Sequence, residues 1–309
     1  MKRRGRAKAL VAMVMAGVFG LSGCGSGQAA PPDGGVLAEG KREADTVVLV
    51  VSFGTSFQDT RDITIGAVEK AIADEFPQYE MRRAFTAQKI IDKLRERDGL
   101  EIDNVAQALD RAAADGVERL VVQPTHLMNG LEYQEIVDEL EKYQEDFEQI
   151  VIGEPLLASD ADFLAVSEAI AGVAAGEDDG ETAVVFMGHG TEAESNRIYG
   201  RLQDVLADGG HGNYYIGTVE AEPTLQDVCT ALKEAGRYKR VVLRPLMLVA
   251  GDHANHDMAG EEEDSWKSVL EAEGYEVDCQ IHGLGELETI RAIYVGHVKD
   301  AVGRLEGGR

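Results

Sequence analysis

Two histidines and one glutamate in the second half of the chain have the side chains that a divalent metal ion requires. His189 follows a predicted strand at 182–188, and Glu220 and His253 follow the next two predicted strands. Two imidazoles and a carboxylate form a ligand set that suits Co, Fe, Ni or Zn as divalent ions. Three protein ligands leave coordination positions open, as a site that passes its metal onward requires. A neutral imidazole can also accept a proton, so the histidines are candidate bases as well.

The spacing of these residues is not that of a metal motif such as His-Glu-x-x-His, so each histidine could instead be structural. Their position favours a shared site, because loops that follow the strands of a parallel sheet meet at one edge. His256 lies three residues after His253, where a helix would place both rings on one face. Asp252 or Asp257 could then orient the imidazoles, and Asp252 could alternatively cap the helix.

The strands that precede these residues belong to an internal repeat. Residues 52–55, Ser-Phe-Gly-Thr, match Gly-His-Gly-Thr at 188–191. Residues 120–130 match 241–251, with the proline and the glycine equally spaced in both segments. The chain therefore contains two copies of one structural unit.

The two copies differ where chemistry is expected. In the register of the repeat, Phe53 corresponds to His189, and Glu132 corresponds to His253. One copy thus carries two imidazoles, and the other carries an aromatic ring and a carboxylate. Glu132 follows the third predicted strand of its copy and is a further candidate for acid–base chemistry.

The first copy also carries a candidate contact for an anionic group. Backbone N–H groups of Phe53, Gly54 and Thr55 could hold an anion at the start of the helix that follows. Together with Gly190 in the second copy, these residues are the predicted substrate contacts.

Strands alternate with helical patterns along the chain, which predicts an α/β fold of two similar lobes, each with a parallel sheet flanked by helices. The predicted strands are 46–52, 79–84, 118–123, 149–153, 182–188, 213–219, 239–244 and 275–281. The predicted helices are 60–75, 87–97, 103–115, 131–145, 194–207, 223–235, 256–273 and 285–304. The predicted lobes are 46–157 and 182–309, with a connecting helix and acidic loop at 158–181.

The beginning of the chain predicts export. Basic residues precede an uncharged stretch at 9–22 that is too short to span a bilayer stably, and Leu-Ser-Gly-Cys follows at 21–24. This lipobox pattern predicts cleavage of signal peptide 1–23 and lipid attachment at Cys24, which would anchor an exported, periplasmic or cell-surface protein. Residues 24–45 would form a flexible tether. The alternative is a cytosolic protein with a fortuitously apolar start.

Composition excludes several partners and cofactors. The formal net charge of −26 disfavours nucleic acid and anionic lipid, so the only membrane contact expected is through the lipid anchor. Neither a Gly-x-x-x-x-Gly-Lys-Ser/Thr loop nor a Gly-x-Gly-x-x-Gly motif follows the first strand, so ATP and NAD are not expected. Cys229 and Cys279 could form a disulfide, but free, buried, inert thiols are the preferred interpretation.

Four segments in order resemble the anaerobic cobalt chelatases of the CbiK family. They are Val-Val-Ser-Phe-Gly-Thr-Ser at 50–56, Met-Gly-His-Gly-Thr at 187–191, Gly-Thr-Val-Glu at 217–220 and Ala-Gly-Asp-His-Ala at 250–254. The resemblance runs from about residue 46 to the C-terminus. It implies the class II chelatase fold, two α/β lobes around a tetrapyrrole cleft, and insertion of Co(II) or Fe(II) into sirohydrochlorin for anaerobic cobalamin synthesis.

The resemblance also implies roles for individual residues. His189 and His253 match the family's catalytic histidines and metal ligands, Glu220 matches its metal-binding glutamate, and Glu132 matches another carboxylate of its cleft. In this interpretation His189 accepts a proton from the macrocycle. His256 departs from the family pattern and could add a ligand or change the choice of metal.

Sirohydrochlorin carries many carboxylates, so an acidic protein needs local cations to bind it. The candidates are Arg82, Arg83, Arg197 and Arg201.

Export is unusual for tetrapyrrole synthesis, so a second interpretation stays open. An exported protein that binds a metal or a tetrapyrrole such as haem for uptake would use the same residues. Haem binding by His126 at the cleft or at a subunit contact, and assembly as a homo-oligomer, also stay open.

Overall fold

The computed structural model describes residues 45–177 and 179–307. The predicted signal peptide 1–23, nearly all of the tether and Cys24 lie outside the described residues. Within the described part of the chain, no helix is both long and apolar enough to cross a membrane.

The first half of the chain contributes one sheet and six α-helices. In chain order these elements are β1 Thr46–Ser52, α1 Gln58–Ile63, α2 Ile65–Glu75, β2 Glu80–Phe85, α3 Gln88–Asp98, α4 Val105–Ala114, β3 Arg119–Pro124, α5 Leu131–Glu141, β4 Gln149–Ile152 and α6 Asp160–Ala174.

The second half repeats the pattern of alternating strands and helices. Its elements are β5 Thr182–Gly188, α7 Ile198–Asp208, β6 Tyr214–Thr218, α8 Leu225–Ala235, β7 Arg240–Pro245, α9 Trp266–Ala272, β8 Glu276–Cys279 and α10 Glu288–Gly307. A short π-helical turn, Ala254–Met258, lies between β7 and α9.

The two sheets have the same topology and the same register. Their strand orders are β2-β1-β3-β4 and β6-β5-β7-β8, and all pairs are parallel. Thr46 pairs with Arg119 in the first sheet, and Thr182 pairs with Arg240 in the second. The predicted two-lobed α/β fold is therefore confirmed, and the repeat extends to the pairing of individual residues.

Strands β1 and β5 are buried along their whole length because helices cover both faces of each sheet. On one face of β1, Val47, Leu49 and Val51 pack with residues of α4 and α5. On the other face, Val48 and Val50 belong to a cluster that includes α2 and α10. Continuous runs of β-branched residues form such strands because every side chain meets an apolar neighbour.

The last helix of each half packs on the opposite half. Helix α6 follows β4 but packs on α7, and the Tyr214 hydroxyl of β6 donates a hydrogen bond to the Ala171 carbonyl at 3.3 Å. Helix α10 follows β8 but packs on α2, β3 and β4, and the Tyr294 hydroxyl donates to the Thr125 carbonyl at 2.8 Å. The predicted lobe 182–309 thus loses its last helix to the first sheet, since periodicity predicts a buried face and not its partner.

Two predicted helices are interrupted. The helix predicted at 60–75 divides at Thr64, whose hydroxyl donates to the Thr60 carbonyl and competes with the regular helical pattern. The helix predicted at 256–273 is wrong over 259–265, and α9 begins only after Ser265, whose side chain caps it by accepting from the Ser268 N–H. These breaks fix the geometry of the segments that follow β1 and β7.

Cys229 and Cys279 are free thiols in the core of the second half. Burial raises the pKa of both, that of Cys279 to about 11. Both thiols are therefore protonated near neutral pH, which agrees with the prediction that they are inert.

Candidate metal and active site

The structure brings His189, Glu220 and His253 together at the carboxyl ends of β5, β6 and β7. Nε2 of His189 lies 3.8 Å from Oε1 of Glu220. The rings of His189 and His253 have centroids 4.8 Å apart and are nearly perpendicular, at 81°. One ligand atom from each of the three residues lies within 4.8 Å of the others. Within the described ranges, this is the one group of His, Cys, Asp or Glu side chains with that geometry.

Backbone contacts hold two of these residues in adjacent loops. The Glu220 N–H donates to the His189 carbonyl at 2.9 Å, which continues the pairing of β5 and β6 beyond the sheet. Gly190 has a φ of +87°, and a Cβ there would lie 2.9 Å from the Ala221 nitrogen. The Gly190 N–H donates to the Tyr199 hydroxyl at 3.2 Å. Only glycine fits this turn without strain, and the turn sets the separation of the imidazole and the carboxylate.

The hydrogen bonds of the two imidazoles leave the same nitrogen available on each ring. Nδ1 of His189 lies 2.8 Å from the Gly190 carbonyl, which can only accept, so this nitrogen donates. Nδ1 of His253 lies 2.6 Å from Oδ2 of Asp257 and donates to that carboxylate. Each neutral ring therefore presents the lone pair of Nε2, which can bind a metal ion or accept a proton.

Asp257 thus orients a cluster residue, as one of the sequence alternatives predicted, whereas Asp252 does not. Oδ1 of Asp252 lies 3.1 Å from Nδ1 of His256, and both side chains are exposed. His256 is not part of the three-residue cluster, so the structure does not support it as an additional ligand.

Glu132 lies in the first turn of α5, after β3, and its side chain is 47% exposed. Desolvation raises its pKa; the nearby imidazole of His189 opposes the increase, and the negative charges of Glu135 and Glu220 add to it. The Glu132 carboxyl group is therefore close enough to His189 and Glu220 to interact with them electrostatically. A carboxylate with a raised pKa accepts protons more readily than an ordinary glutamate does.

His126 follows β3 directly and is buried, with 8% of its surface exposed. Its Nε2 lies 3.7 Å from Oε2 of Glu132. Burial lowers its pKa to about 4, so the ring is neutral near pH 7. The sequence placed His126 near the site but gave no sign that its ring lies in the core behind Glu132.

The predicted substrate contacts divide into exposed and buried groups. The Phe53 side chain is 47% exposed, whereas Thr55 is buried and its hydroxyl accepts from the Phe57 N–H at 3.2 Å. A Cβ on Gly251 would lie 3.7 Å from this hydroxyl, so the loop after β1 contacts the loop that leads to His253. Thr55 joins the two halves at the site, and Phe53 is the side chain of this loop that a ligand can reach.

The prediction that four arginines bind substrate carboxylates is not supported for Arg82 and Arg83. Both lie on β2 and are largely buried: Arg82 pairs with Glu80 and Asp115, and Arg83 pairs with the buried Glu69. The exposed pair also have partners within the chain: Arg197 pairs with Glu194, and Arg201 pairs with Asp160 and stacks on Phe163. Alternation along a strand could not show that acidic partners lie beside these side chains.

The fold and the site together define a two-lobed α/β protein of the chelatase type. Three side chains that can bind one metal ion lie at the carboxyl ends of its strands and leave coordination positions open. The model of the cobalt chelatase (CbiK) family matches residues 46–303, and the chain belongs to this family.

Two relatives support this assignment over most of the chain. It is 39% identical over 255 residues to a protein of Salmonella typhimurium named sirohydrochlorin cobaltochelatase, and the matched region covers 82% of this chain and 96% of the relative. It is 32% identical over 262 residues to sirohydrochlorin cobaltochelatase CbiKC of Nitratidesulfovibrio vulgaris, which covers 84% and 91% respectively. The solved structure of SirB from Bacillus subtilis with Fe3+ shares the fold, with a TM-score of 0.58, 14% identity and coverage of 85% and 98%.

Proposed function

We propose that this chain is a sirohydrochlorin cobaltochelatase that inserts Co(II) into sirohydrochlorin for cobalamin synthesis. The observation that carries the proposal is the cluster of His189, Glu220 and His253, in which both imidazoles present Nε2. An open three-ligand site can hold the metal and then release it to a macrocycle. The names of the two relatives identify the substrate pair.

Insertion of a divalent ion into the macrocycle releases two pyrrole protons, so the site must supply bases near neutral pH. All three residues hold the arriving metal; as it passes to the macrocycle, His253 and Glu220 present it, and His189, whose Nε2 is then free of the metal, accepts the first proton. Glu132, whose pKa is raised mainly by desolvation, receives the second proton or relays it to water. The exchange balances two protons against one divalent cation, and we propose that it needs neither ATP nor NAD.

The macrocycle also needs a surface on which to rest. A flat tetrapyrrole can stack on the exposed ring of Phe53, which occupies the repeat position equivalent to His189. Gly54 and Gly190 are buried with positive φ, and a Cβ on either would clash with Phe85 or Ala221, so these glycines shape the loops that carry Phe53 and His189. We therefore place one face of the macrocycle against the loop after β1 and its opposite face toward the side chains of His189, Glu220 and His253.

Turnover with anaerobic sirohydrochlorin tests this function. Purified protein is mixed with the macrocycle and Co(II), Fe(II) or Ni(II), and the absorption spectrum is followed beside His189→Ala and His282→Ala. His282 is an exposed histidine that pairs with Glu286 and is not part of the cluster, so it serves as the control. Many turnovers by the wild type and by His282→Ala, with loss in His189→Ala, support a chelatase and rank the metals. A spectral change that stops at one equivalent would instead support a binding protein.

We also propose that the protein is exported and anchored by lipid at Cys24, on the support of the lipobox at 21–24. Expression of the full chain with a labelled fatty acid tests this proposal. Label should enter the wild type, which should sediment with membranes. Cys24→Ala should take up no label. Equal labelling of both proteins, or of neither, would contradict the anchor.

A further inference from the structure

His126 contains two buried polar atoms that the fold itself does not use. Both ring nitrogens are inaccessible, and neither has a hydrogen-bond partner among the described residues. A buried donor or acceptor without a partner destabilises a protein, because nothing replaces the hydrogen bond that it made to water. Such a group is retained where another state of the molecule supplies the partner, and active sites are where such groups concentrate.

A carboxylate oxygen of a proposed catalytic residue lies close to the ring. Nε2 of His126 lies 3.7 Å from Oε2 of Glu132, a few tenths of an ångström beyond a normal hydrogen bond. Glu132 is half-exposed and lies on the outer side of the first turn of α5. A small rotation about its side-chain bonds would bring the two atoms into contact.

The imidazole is fixed, whereas the carboxylate can move. The His126 carbonyl accepts from the Leu156 N–H at 3.0 Å, and the Thr125 N–H donates to the Val51 carbonyl at 2.8 Å. The carbonyl of Thr125 also accepts from the Tyr294 hydroxyl of α10 at 2.8 Å. Hydrogen bonds thus hold the backbone around His126 to the sheet and to α10. A fixed donor beside a mobile acceptor is an arrangement that selects one orientation of the acceptor.

We propose that His126 is a positioning residue for Glu132. When substrate occupies the site, the N–H at Nε2 of His126 donates to the Glu132 carboxylate and holds it toward the macrocycle. This inference rests on the proposed chelatase function. The two halves would then use the same kind of contact with the roles reversed. In the first half the imidazole of His126 orients the carboxylate of Glu132, and in the second half the carboxylate of Asp257 orients the imidazole of His253, which occupies the equivalent position.

Substitution of His126 distinguishes the positioning role from a purely structural one, because the two roles affect stability and turnover differently. Leucine at this position removes two unpaired polar atoms and keeps an apolar volume, so the melting temperature should stay the same or rise. Turnover should nevertheless fall, because Glu132 loses its fixed orientation. We expect kcat to fall roughly 10- to 100-fold with little change in KM, since His126 does not touch the macrocycle.

The experiment compares full-length His126→Leu, His126→Gln, Glu132→Gln and the His126→Leu/Glu132→Gln double variant in thermal unfolding and Co(II) insertion. Glutamine carries an N–H near the position of Nε2, so His126→Gln should keep most of kcat. In the Glu132→Gln background, His126→Leu should cause no further loss. Wild-type kcat in His126→Leu, or a full additional loss in the double variant, would overturn the proposal.

A second measurement does not depend on turnover. In protein labelled with ¹⁵N-histidine, metal-free sirohydrochlorin should shift the His126 Nε2–H resonance downfield, and Glu132→Ala, which removes the acceptor, should abolish that shift. If the wild type binds the macrocycle with this shift but does not insert Co(II), the chelatase function fails and the positioning role stands. If the wild type inserts Co(II) but the shift is absent, the positioning role fails and the chelatase function stands.

Discussion

Asp257 and Asp252 provide a matched test of the metal cluster, since each carboxylate lies four residues from the histidine that it contacts. Asp257 pairs with His253, which belongs to the cluster, and Asp252 pairs with His256, which does not. Both pairs lie in the same short segment after β7. We predict that Asp257→Asn weakens Co(II) binding and slows insertion, whereas Asp252→Asn changes neither by more than about twofold.

The magnitude follows from the contact. Loss of a carboxylate that orients a metal-binding histidine lowers metal affinity by roughly 10- to 100-fold. The Nδ1–Oδ2 distance of 2.6 Å is that of a strong bond, but the His253 and Asp257 side chains are 33% and 45% exposed. Water can therefore replace part of the interaction. We expect a loss of about 10- to 30-fold, which corresponds to about 1.4–2 kcal/mol.

The direction of the hydrogen bond sharpens the prediction further. The asparagine amide can donate to Nδ1, which would move the ring hydrogen to Nε2 and block the metal-binding lone pair. Asp257→Asn should therefore be at least as harmful as Asp257→Ala, although it is the smaller change in shape. Competition against a coloured Co(II) chelator measures both affinities. Wild-type affinity in Asp257→Asn, or an equal loss in Asp252→Asn, would refute the reasoning.

Three further outcomes can be measured on the same preparations. Gly190→Ala should destabilise the fold by about 1–3 kcal/mol and weaken Co(II) binding, whereas Gly210→Ala, which has a similar positive φ but open space around it, should leave Co(II) binding unchanged in the same titration. Arg83→Met should leave the Glu69 carboxylate buried without its guanidinium and reduce the free energy of unfolding by about 3–5 kcal/mol, and denaturant titration would measure this loss. Burial raises the pKa of Glu132, so its basic form is lost as pH falls through that raised value. The kcat should therefore decline at a higher pH than it would with an ordinary glutamate, and Glu132→Gln should lack this decline in a pH–rate profile.

The strands could be predicted from sequence because apolar runs and turn residues define them locally. Strands β1 and β5 lie at the predicted residues. The repeat predicted two copies of one unit, and the structure adds that both sheets pair in the same register. The cluster followed from the same logic, since His189 and Glu220 come directly after their strands and carboxyl ends of parallel strands meet.

Other features depend on contacts that no local pattern records. The segment 250–258 contains two carboxylates near two histidines, and sequence could not decide which aspartate serves the cluster. The burial of His126 and the pairing of Arg83 with Glu69 both depend on how helices pack against the first sheet. The acidic stretch at 261–264 has helical composition, but it forms turns before α9 because Ser265 caps the helix there.

Because α6 and α10 each pack on the opposite half, the two halves depend on each other for folding. A fragment that ends after β4 would expose the apolar face of the first sheet that α10 covers, and a fragment that begins at β5 would lack α6. Neither half of the duplicated chain is therefore an autonomous folding unit, despite its complete sheet. Unfolding should proceed as one cooperative transition, and the Tyr294 hydroxyl links the last helix to the loop that carries His126. Loss of the C-terminal helix would consequently disturb the active site from the opposite end of the sequence.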